Sequence, residues 1–447
     1  MRLLRCQTAF SSLSLLLLLL AGLMPASIYS QSAPHSGPAQ ASSAWASPAQ
    51  NGQSYSLPPD KLAKATTLGR IRPLLHFGGA LWGLLVLWLL LATRTAAWME
   101  SSAQRLAGRR WMQGIIFFMA LQIVLGAADL PLSFFGHSIS LHYGISVQGW
   151  ASWCGDLGKA MGLSILFATP ILLLFNWIVR VSPQRYWLWA WIVTLPLMVL
   201  SACGEPLIAP LFNQFEPLSK SRPELVEKLE KVAARTGTKI PPERIFLMKA
   251  SVKTNALNAY VSGMGQTKRI VVWDTTAGRI PDDEVLFIFG HESGHYVLNH
   301  IVKGLAGGAV FLFFLYWLCA RFAARLAVRM GSRWGVAGLS SRAGFVVLLF
   351  TVTAAQFLLE PIDNLTSRHF EHEADIYGQE AIHGIVADPR QSAVGAFNHL
   401  GEAALDDPNP NPFVEFWTYS HPSIQRRARF AAQYDPWAEG GKPKFFR

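Results

Sequence analysis

The stretch FIFGHESGHYVLNH, residues 287–300, places two histidines four residues apart with a glutamate directly after the first: His291, Glu292 and His295. Residues at i and i+4 of an α-helix project from one face, so both imidazoles can bind a single Zn²⁺. Zinc lowers the pKa of a coordinated water to about 7, and Glu292 would then lie where it can act as general base. The pattern predicts metal-dependent hydrolysis of an amide bond, and a coincidental pair of structural histidines is the alternative.

A second segment, LLEPIDNLTSRHFEHEADIYG (358–378), offers carboxylates for the same metal. Glu371 and Asp375 are again four residues apart on a predicted helix. A catalytic zinc has three protein ligands and an open fourth position. One carboxylate can therefore bind the metal while the other orients a ligand histidine from behind. Three nearby polar side chains are expected to be structural, rim or surface residues: His300, His372 and Glu373. His369 is ambiguous.

The composition is that of a membrane protein with a modest soluble part. Of 447 residues, 51% are hydrophobic and 15% are charged, whereas an average soluble domain has roughly 25% charged residues. Six apolar segments approach the length of about 20 residues that a helix needs to cross a bilayer: 74–95, 113–134, 159–180, 186–208, 304–322 and 343–361. The predicted fold is a predominantly α, polytopic bundle, with four spans in 59–208 and two in 304–361.

The N-terminus has the pattern of a targeting segment. Arg2 and Arg5 precede the apolar run SLSLLLLLLAGLMPAS (12–27), which predicts a signal peptide over 1–30; a retained transmembrane helix is the alternative. Residues 31–58 are rich in Ser, Ala, Pro, Gln and Gly and predict a flexible linker. The four cysteines have neither metal-ligand nor disulfide spacing: Cys6, Cys154, Cys203 and Cys319.

The net charge of +11 arises largely from arginines that flank the apolar segments, which argues against nucleic acid as a partner. Loops 95–112, 181–185 and 323–342 carry or adjoin these arginines, whereas 135–158 contains neither Lys nor Arg. Since basic loops stay in the cytoplasm, the histidine motif and the C-terminus are expected on the opposite side. Four basic residues before the first span oppose this orientation: Lys61, Lys64, Arg70 and Arg72.

The soluble part lies in two segments, 209–303 and 362–447. In the first, 221–237 has helical spacing, and 281–300 predicts a helix with acids in its first turn. Three short runs predict strands, the last two joined as a hairpin across GQTK: 244–251, 256–264 and 269–274. A small α+β unit that leads into a helix with H-E-x-x-H is the arrangement of zincin peptidases.

The combination of GHESGHYVLNH (290–300) and SRHFEHEAD (367–375) resembles the integral-membrane zinc endopeptidases of the type I CAAX prenyl protease family. The signature of that family is HExxH, followed two transmembrane helices later by ExxxD. Further similar stretches are SYSLPPDKLAKA (54–65), APLFNQFEPL (209–218), NAYVSG (258–263), KRIVVWDT (268–275) and YSHPSIQRR (419–427). The resemblance implies one Zn²⁺ per chain, with Glu292 as the catalytic base. It also implies that Asp375 contacts a metal ligand without binding the metal itself. The implied ligands are His291, His295 and Glu371.

The resemblance also implies how a substrate is held. In the family the substrate backbone pairs with the NAY strand, which corresponds here to Asn258, Ala259 and Tyr260. His421 would stabilise the tetrahedral oxyanion, and a surface-loop histidine is the alternative for it. Arg427 would line the cleft.

Two further expectations concern the helices. The resemblance implies that the membrane helices enclose a chamber with the zinc at its wall. Ser293 stands where the family commonly has an apolar residue, but at a position that binds no metal, so the chemistry is expected to be retained.

Together these features predict a membrane-embedded zinc endopeptidase of the bacterial inner membrane, acting on the extracytoplasmic side. Its expected partners are the lipid bilayer and a peptide or membrane-protein substrate. One alternative is a CAAX-type enzyme that faces the cytoplasm; another is a channel or binding protein with a degenerate metal site, which would lack a ligand. A structural zinc site would need four ligands, usually with Cys, and the histidine segment has no Cys.

Overall fold

The computed structural model describes residues 54–238, 240–263, 268–438 and 440–446. The predicted signal peptide (1–30), most of the predicted linker (31–58) and most of the GQTK turn (265–268) lie outside these residues. The described part contains a set of long helices and a smaller α+β unit built around one sheet.

The helices, numbered in chain order, are α1 (Pro59–Ala92), α2 (Thr95–Leu106), α3 (Arg110–His142), α4 (Trp150–Val181), α5 (Tyr186–Ile208), α6 (Pro223–Thr236), α7 (Asp274–Arg279), α8 (Asp282–Val297), α9 (His300–Trp334), α10 (Arg342–Ala381), α11 (Pro389–Ala404), α12 (Pro412–Thr418) and α13 (Ile424–Gln433). The strands are β1 (Phe215–Pro217), β2 (Ile245–Met248), β3 (Ala259–Ser262) and β4 (Arg269–Trp273).

Within the described residues, six helices are long and apolar enough to cross a membrane: α1, α3, α4, α5, α9 and α10. This confirms the predicted number of spans and the predominantly helical fold. Buried aromatic and aliphatic side chains such as Phe117, Phe118 and Phe345 pack where these helices contact one another. Other large apolar side chains, including Leu207 and Val328, are strongly exposed, as expected of helices whose outer surface faces lipid.

α10 joins the membrane region to the predicted site. It is one helix of 40 residues, about 60 Å long, which is twice the hydrocarbon thickness of roughly 30 Å. The predicted sixth span (343–361) and the segment with Glu371 and Asp375 are therefore parts of one continuous helix. Ser341 caps its start by accepting a hydrogen bond from the backbone nitrogen of Gly344.

The sheet has the strand order β1-β2-β4-β3. β2 and β4 are parallel, whereas β1 and β3 run antiparallel to their neighbours. The hairpin of β3 and β4 confirms the sequence prediction, with Ala259 opposite Val272. β1, only three residues long, was not predicted.

The sheet and α8 share one apolar core. Leu229 of α6, Phe287 of α8 and Phe397 of α11 are all almost fully buried in it. α8 begins after Pro281 with three acidic residues in its first turn, where negative charge is favourable because of the helix dipole. The predicted helix 281–300 ends earlier than expected, at Val297, and Asn299 adopts the left-handed conformation with φ 58°.

Candidate metal centre

α8 and α10 approach closely where each carries a glycine. A Cβ atom added to Gly378 would lie 2.7 Å from the backbone nitrogen of His291. One added to Gly290 would lie 3.0 Å from the carbonyl oxygen of Gly378. Any side chain at these positions would push the helices apart, so the two glycines allow the helix with H-E-x-x-H to lie directly against the helix with E-x-x-x-D.

This contact brings together the three residues predicted as metal ligands. Nε2 of His291 lies 3.1 Å from Nε2 of His295. The carboxylate of Glu371 lies 3.4 Å from Nε2 of His291 and 3.3 Å from Nε2 of His295. One potential ligand atom from each residue lies within 4.8 Å of the others. His291 and Glu371 are buried, and the side chain of His295 is 12% exposed.

Asp375 and Arg427 stand behind His291. Oδ1 of Asp375 lies 2.8 Å from Nδ1 of His291, the ring nitrogen that points away from Glu371. Arg427 donates two hydrogen bonds to the Asp375 carboxylate, from Nε at 2.9 Å and from Nη2 at 2.6 Å. Arg427 is 3% exposed, and its Nη2 also lies 3.4 Å from Oε2 of Glu371, so it contacts both Asp375 and the ligand cluster.

The buried carboxylates of this cluster raise the pKa of a neighbouring histidine. Burial alone would lower the pKa of His291, but the Asp375 and Glu371 carboxylates raise it to about 9. Glu371 is completely buried, and neither of its oxygens accepts a hydrogen bond of good geometry from a described residue. The Arg427 guanidinium lies 3.4 Å from Oε2 of this carboxylate, and a metal cation beside its unbonded oxygens would compensate it further, because a buried charge is costly unless it is paired.

Glu292 and His421 border the same cluster. Oε1 of Glu292 lies 3.9 Å from Nε2 of His291. Nε2 of His421 lies 3.2 Å from Oε1 of Glu371, and its Nδ1 is bonded to the hydroxyl of Ser420. Burial lowers the pKa of His421, although the Glu371 carboxylate opposes this. His421 is thus a buried neighbour of the cluster, and the structure does not place it in an exposed surface loop.

The predicted substrate strand lies at the edge of the sheet, and α8 packs against it. The backbone N–H of Trp273 donates to the carbonyl of Asn258. Since hydrogen-bonded pairs alternate along an antiparallel ladder, the next such pair is Tyr260 with Val271. The peptide groups of Ala259 and Val261 therefore point away from β4, toward the free edge.

The structure also shows contacts that the sequence did not predict. The phenol of Tyr260 donates to Glu205 at the end of α5, and Arg269 binds the same carboxylate. His300, which was expected to be a structural or rim residue, lies 3.1 Å from His295. The break between the helices at Asn299 directs it there.

Two family models cover most of the chain. Residues 48–214 match the CAAX prenyl protease N-terminal family, described as five membrane helices. Residues 219–435 match peptidase family M48, and they contain all of the clustered residues described above. The uncharacterized metalloprotease YhfN of Bacillus subtilis is 32% identical over 374 residues, which cover 83% of this chain and 86% of that protein.

The chain belongs to peptidase family M48. CAAX prenyl protease 1 of Saccharomyces cerevisiae is 27% identical over 336 residues, covering 70% of this chain and 71% of the yeast protein. The crystal structure of Ste24p from S. mikatae superposes with a TM-score of 0.73 at 21% identity, covering 96% of this chain and 98% of that one. This likeness shows a shared fold.

These findings confirm the family resemblance and the enzyme class predicted from the sequence. The M48 chain is an integral, multi-pass membrane metalloprotease. Membership of the family implies a metal, typically zinc, and a peptide or protein substrate. Among the described residues, His291, His295 and Glu371 form a group of side chains that could hold a metal ion.

Proposed function

We propose that this M48 protein is a zinc-dependent endopeptidase that cuts membrane-associated proteins or peptides. The observation that carries the proposal is the convergence of His291, His295 and Glu371 beside Glu292 in a buried, negatively charged site. Two imidazoles and one carboxylate form a donor set used by catalytic zinc, which keeps a fourth position open. One Zn²⁺ per chain is proposed, and it would supply Lewis-acid polarisation of the scissile carbonyl and activation of water.

The remaining residues have separate roles in this proposal. Glu292 takes a proton from the attacking water and returns it to the leaving amine. Asp375 accepts the Nδ1 proton of His291 and so keeps Nε2 of that ring free toward the ligand cluster. Arg427 holds Asp375 in place through its two hydrogen bonds. His421 borders Glu371 and would stabilise the oxyanion that develops on the substrate.

The substrate is proposed to bind as an extra strand beside β3. The outward peptide groups of Ala259 and Val261 would pair with an extended substrate backbone. The peptide of Asn258 is already engaged, since its N–H donates to the hydroxyl of Thr276. Tyr260 would support the strand from the side through its hydrogen bond to Glu205. The space between the membrane helices is proposed as the chamber through which a membrane-anchored substrate arrives.

The site is proposed to face the extracytoplasmic side of a bacterial inner membrane. With six spans, the start of α1, the sheet and the C-terminal helices fall on one side, and the arginine-bearing loops fall on the other. Two of the basic residues that opposed this orientation are engaged in ion pairs. Lys61 pairs with Glu402, and Arg72 pairs with Asp406, so their charge is offset within the protein.

A second candidate function is processing of prenylated proteins from the cytoplasmic side. It is favoured by the relatives named CAAX prenyl protease 1. Orientation separates the two candidates. A cysteine-free variant with Lys220→Cys should react with a membrane-impermeant maleimide in intact spheroplasts, whereas Arg329→Cys should not. The reverse labelling pattern would favour the cytoplasmic alternative.

Glu292→Gln tests the catalytic proposal. Detergent-purified wild type and variant are compared for zinc content and for cleavage of an unfolded peptide, with exposed Glu224→Gln as matched control. The variant should retain about one zinc per chain because Glu292 is not a ligand, while cleavage falls at least ~100-fold through loss of the base. Equal cleavage by wild type and Glu292→Gln would refute the proposed role of Glu292.

A further inference from the structure

A third histidine contacts the predicted ligand His295 from behind. Asn299, in the left-handed conformation, redirects the chain between α8 and α9, and His300 follows as the first residue of α9. Nδ1 of His300 lies 3.1 Å from Nδ1 of His295. The ring of His300 is buried and stacks on Phe370 with ring centroids 4.5 Å apart. Its position is therefore fixed by packing as well as by the contact with His295.

Glu373 contacts the other side of the same ring. Oε2 of Glu373 lies 3.3 Å from Nε2 of His300, and its Oε1 accepts a hydrogen bond from Nζ of Lys444 at 3.0 Å. The chain around Lys444 is itself tied to α10, because the backbone nitrogens of Phe445 and Phe446 donate to Glu380. A continuous path of polar contacts thus runs from His295 to the C-terminal segment.

The direction of these hydrogen bonds follows from the two groups at the ends of the series, which are Nε2 of His295 and the Glu373 carboxylate. Nε2 of His295 faces Glu371 and must be unprotonated to bind a metal, so the ring proton of His295 is on Nδ1. That proton is donated to Nδ1 of His300, which must therefore be an acceptor. The proton of His300 is then on Nε2, where it is donated to the Glu373 carboxylate. Every group in the series has a compatible partner.

We propose that His300 and Glu373 are positioning residues that fix the tautomer and orientation of His295. This inference rests on the proposed zinc function and adds a second support to the metal centre. His291 is held directly by Asp375, which Arg427 braces. His295 is held by Glu373 through the intervening ring of His300, and Lys444 braces that carboxylate. Two carboxylates of one helix, two residues apart, thus orient the two histidines of the neighbouring helix.

The zinc dissociation constant, measured by competition with a chromogenic chelator, tests the proposal. His300→Phe keeps the ring stack on Phe370 but removes the acceptor, and Glu373→Gln removes the charge at a partly exposed position. Loss of groups that orient a metal ligand typically weakens binding ~10–100-fold, and both variants should fall in that range. The Co²⁺-substituted protein should show a shifted visible absorption spectrum in both. His372→Gln, whose ring packs on Phe430, is the matched control and should bind zinc as wild type does.

The double variant distinguishes a connected series from two separate structural effects. If Glu373 acts through His300, then Glu373→Gln should change the zinc dissociation constant by less than ~2-fold in the His300→Phe background, because coupled groups are not additive. Wild-type affinity in either single variant, or additive losses, would overturn the proposal. Wild-type affinity or additive losses would leave the proposed zinc peptidase function intact, provided that the wild-type protein binds zinc and Glu292→Gln is inactive. Absence of zinc binding by wild type would overturn both.

Discussion

Oδ1 of Asp375 lies 2.8 Å from Nδ1 of His291, and Arg427 binds the same carboxylate through two hydrogen bonds. These three buried groups link α8, α10 and α13. The arrangement compensates the negative charge of Asp375 while leaving Nε2 of His291 directed toward Glu371. The stability of the helix pair and the geometry of the proposed metal site therefore depend on the same ion pair.

Arg427→Met should destabilise the metal-free protein strongly, because it leaves the Asp375 carboxylate buried without its cationic partner. Removal of one member of a buried ion pair typically costs about 3–5 kcal/mol. The double variant Arg427→Met/Asp375→Asn also removes the unpaired Asp375 charge and should be more stable than Arg427→Met, while Glu371 still lacks its contact with Arg427. Unfolding in detergent with chelator present measures both. A double variant that is less stable than Arg427→Met would contradict this account of the pair.

The proposed substrate strand can be tested by removing one outward N–H. Val261→Pro deletes a donor that faces the free edge of β3, a position where proline is tolerated in a sheet. Loss of a hydrogen bond to the substrate should raise KM or lower kcat/KM about 10-fold, with zinc content unchanged. Val261→Ala keeps the N–H and is the control. Equal losses in the two variants would show that the side chain, and not the peptide group, matters.

The pair of His399 and Glu284 predicts how stability depends on pH. Nδ1 of His399 lies 2.7 Å from the carboxylate of Glu284. Burial acts to lower the pKa of His399, but Glu284 raises it above the ordinary 6.5. Burial likewise raises the pKa of Glu284 above 4.5, opposed by His399. The folded state thus binds more protons than the unfolded state, so stability falls as pH rises.

The stability that protonated His399 contributes to the folded state is fully present below pH 6.5. It is lost as the pH rises through the raised folded-state pKa of His399. The unfolding midpoint of the metal-free protein should therefore decline from pH 6.5 upward in wild type. His399→Gln should make this decline shallower without abolishing it, because the raised pKa of His291 contributes with the same sign, whereas the exposed His369→Gln should leave it unchanged. A midpoint that rises over the same interval in wild type would reverse the predicted sign.

Ser293 offers a stabilising substitution next to the catalytic motif. It is completely buried, and its hydroxyl has no hydrogen-bond partner among the described residues. Ser293→Ala removes this desolvated group and should raise the unfolding free energy by about 1 kcal/mol, with cleavage unchanged. Ser164, also buried, donates to Gln122, so Ser164→Ala should instead lower stability. Destabilisation by both substitutions would indicate that Ser293 is hydrogen-bonded.

Much of the architecture could be predicted from the sequence because the signals were local. Six apolar segments of spanning length predicted six long helices. The acidic start of 281–300 predicted a helix, and the short runs 256–264 and 269–274 predicted strands. The spacing of His291, His295 and Glu371 indicated one metal site because each pair of motif residues lies on a single helix face. Their mutual distances in the structure agree with that expectation.

The contacts that escaped prediction depend on tertiary structure. A helix drawn straight through 281–300 places His300 away from His295, but the left-handed Asn299 breaks that helix and returns His300 to the site. Glu373 points away from Glu371 on α10 and reaches His295 only through His300. The role of Arg427 depends on α13 packing beside α10, which no spacing within YSHPSIQRR specifies.

Reconstitution with zinc tests the central claim most directly. Wild-type protein is stripped of metal, zinc is added back in known amounts, and bound zinc and the rate of peptide cleavage are measured at each step. Cleavage should be absent without metal, should rise in proportion to bound zinc and should saturate at one zinc per chain. Full cleavage by the metal-free protein, or zinc bound at one per chain without any return of cleavage, would contradict the account.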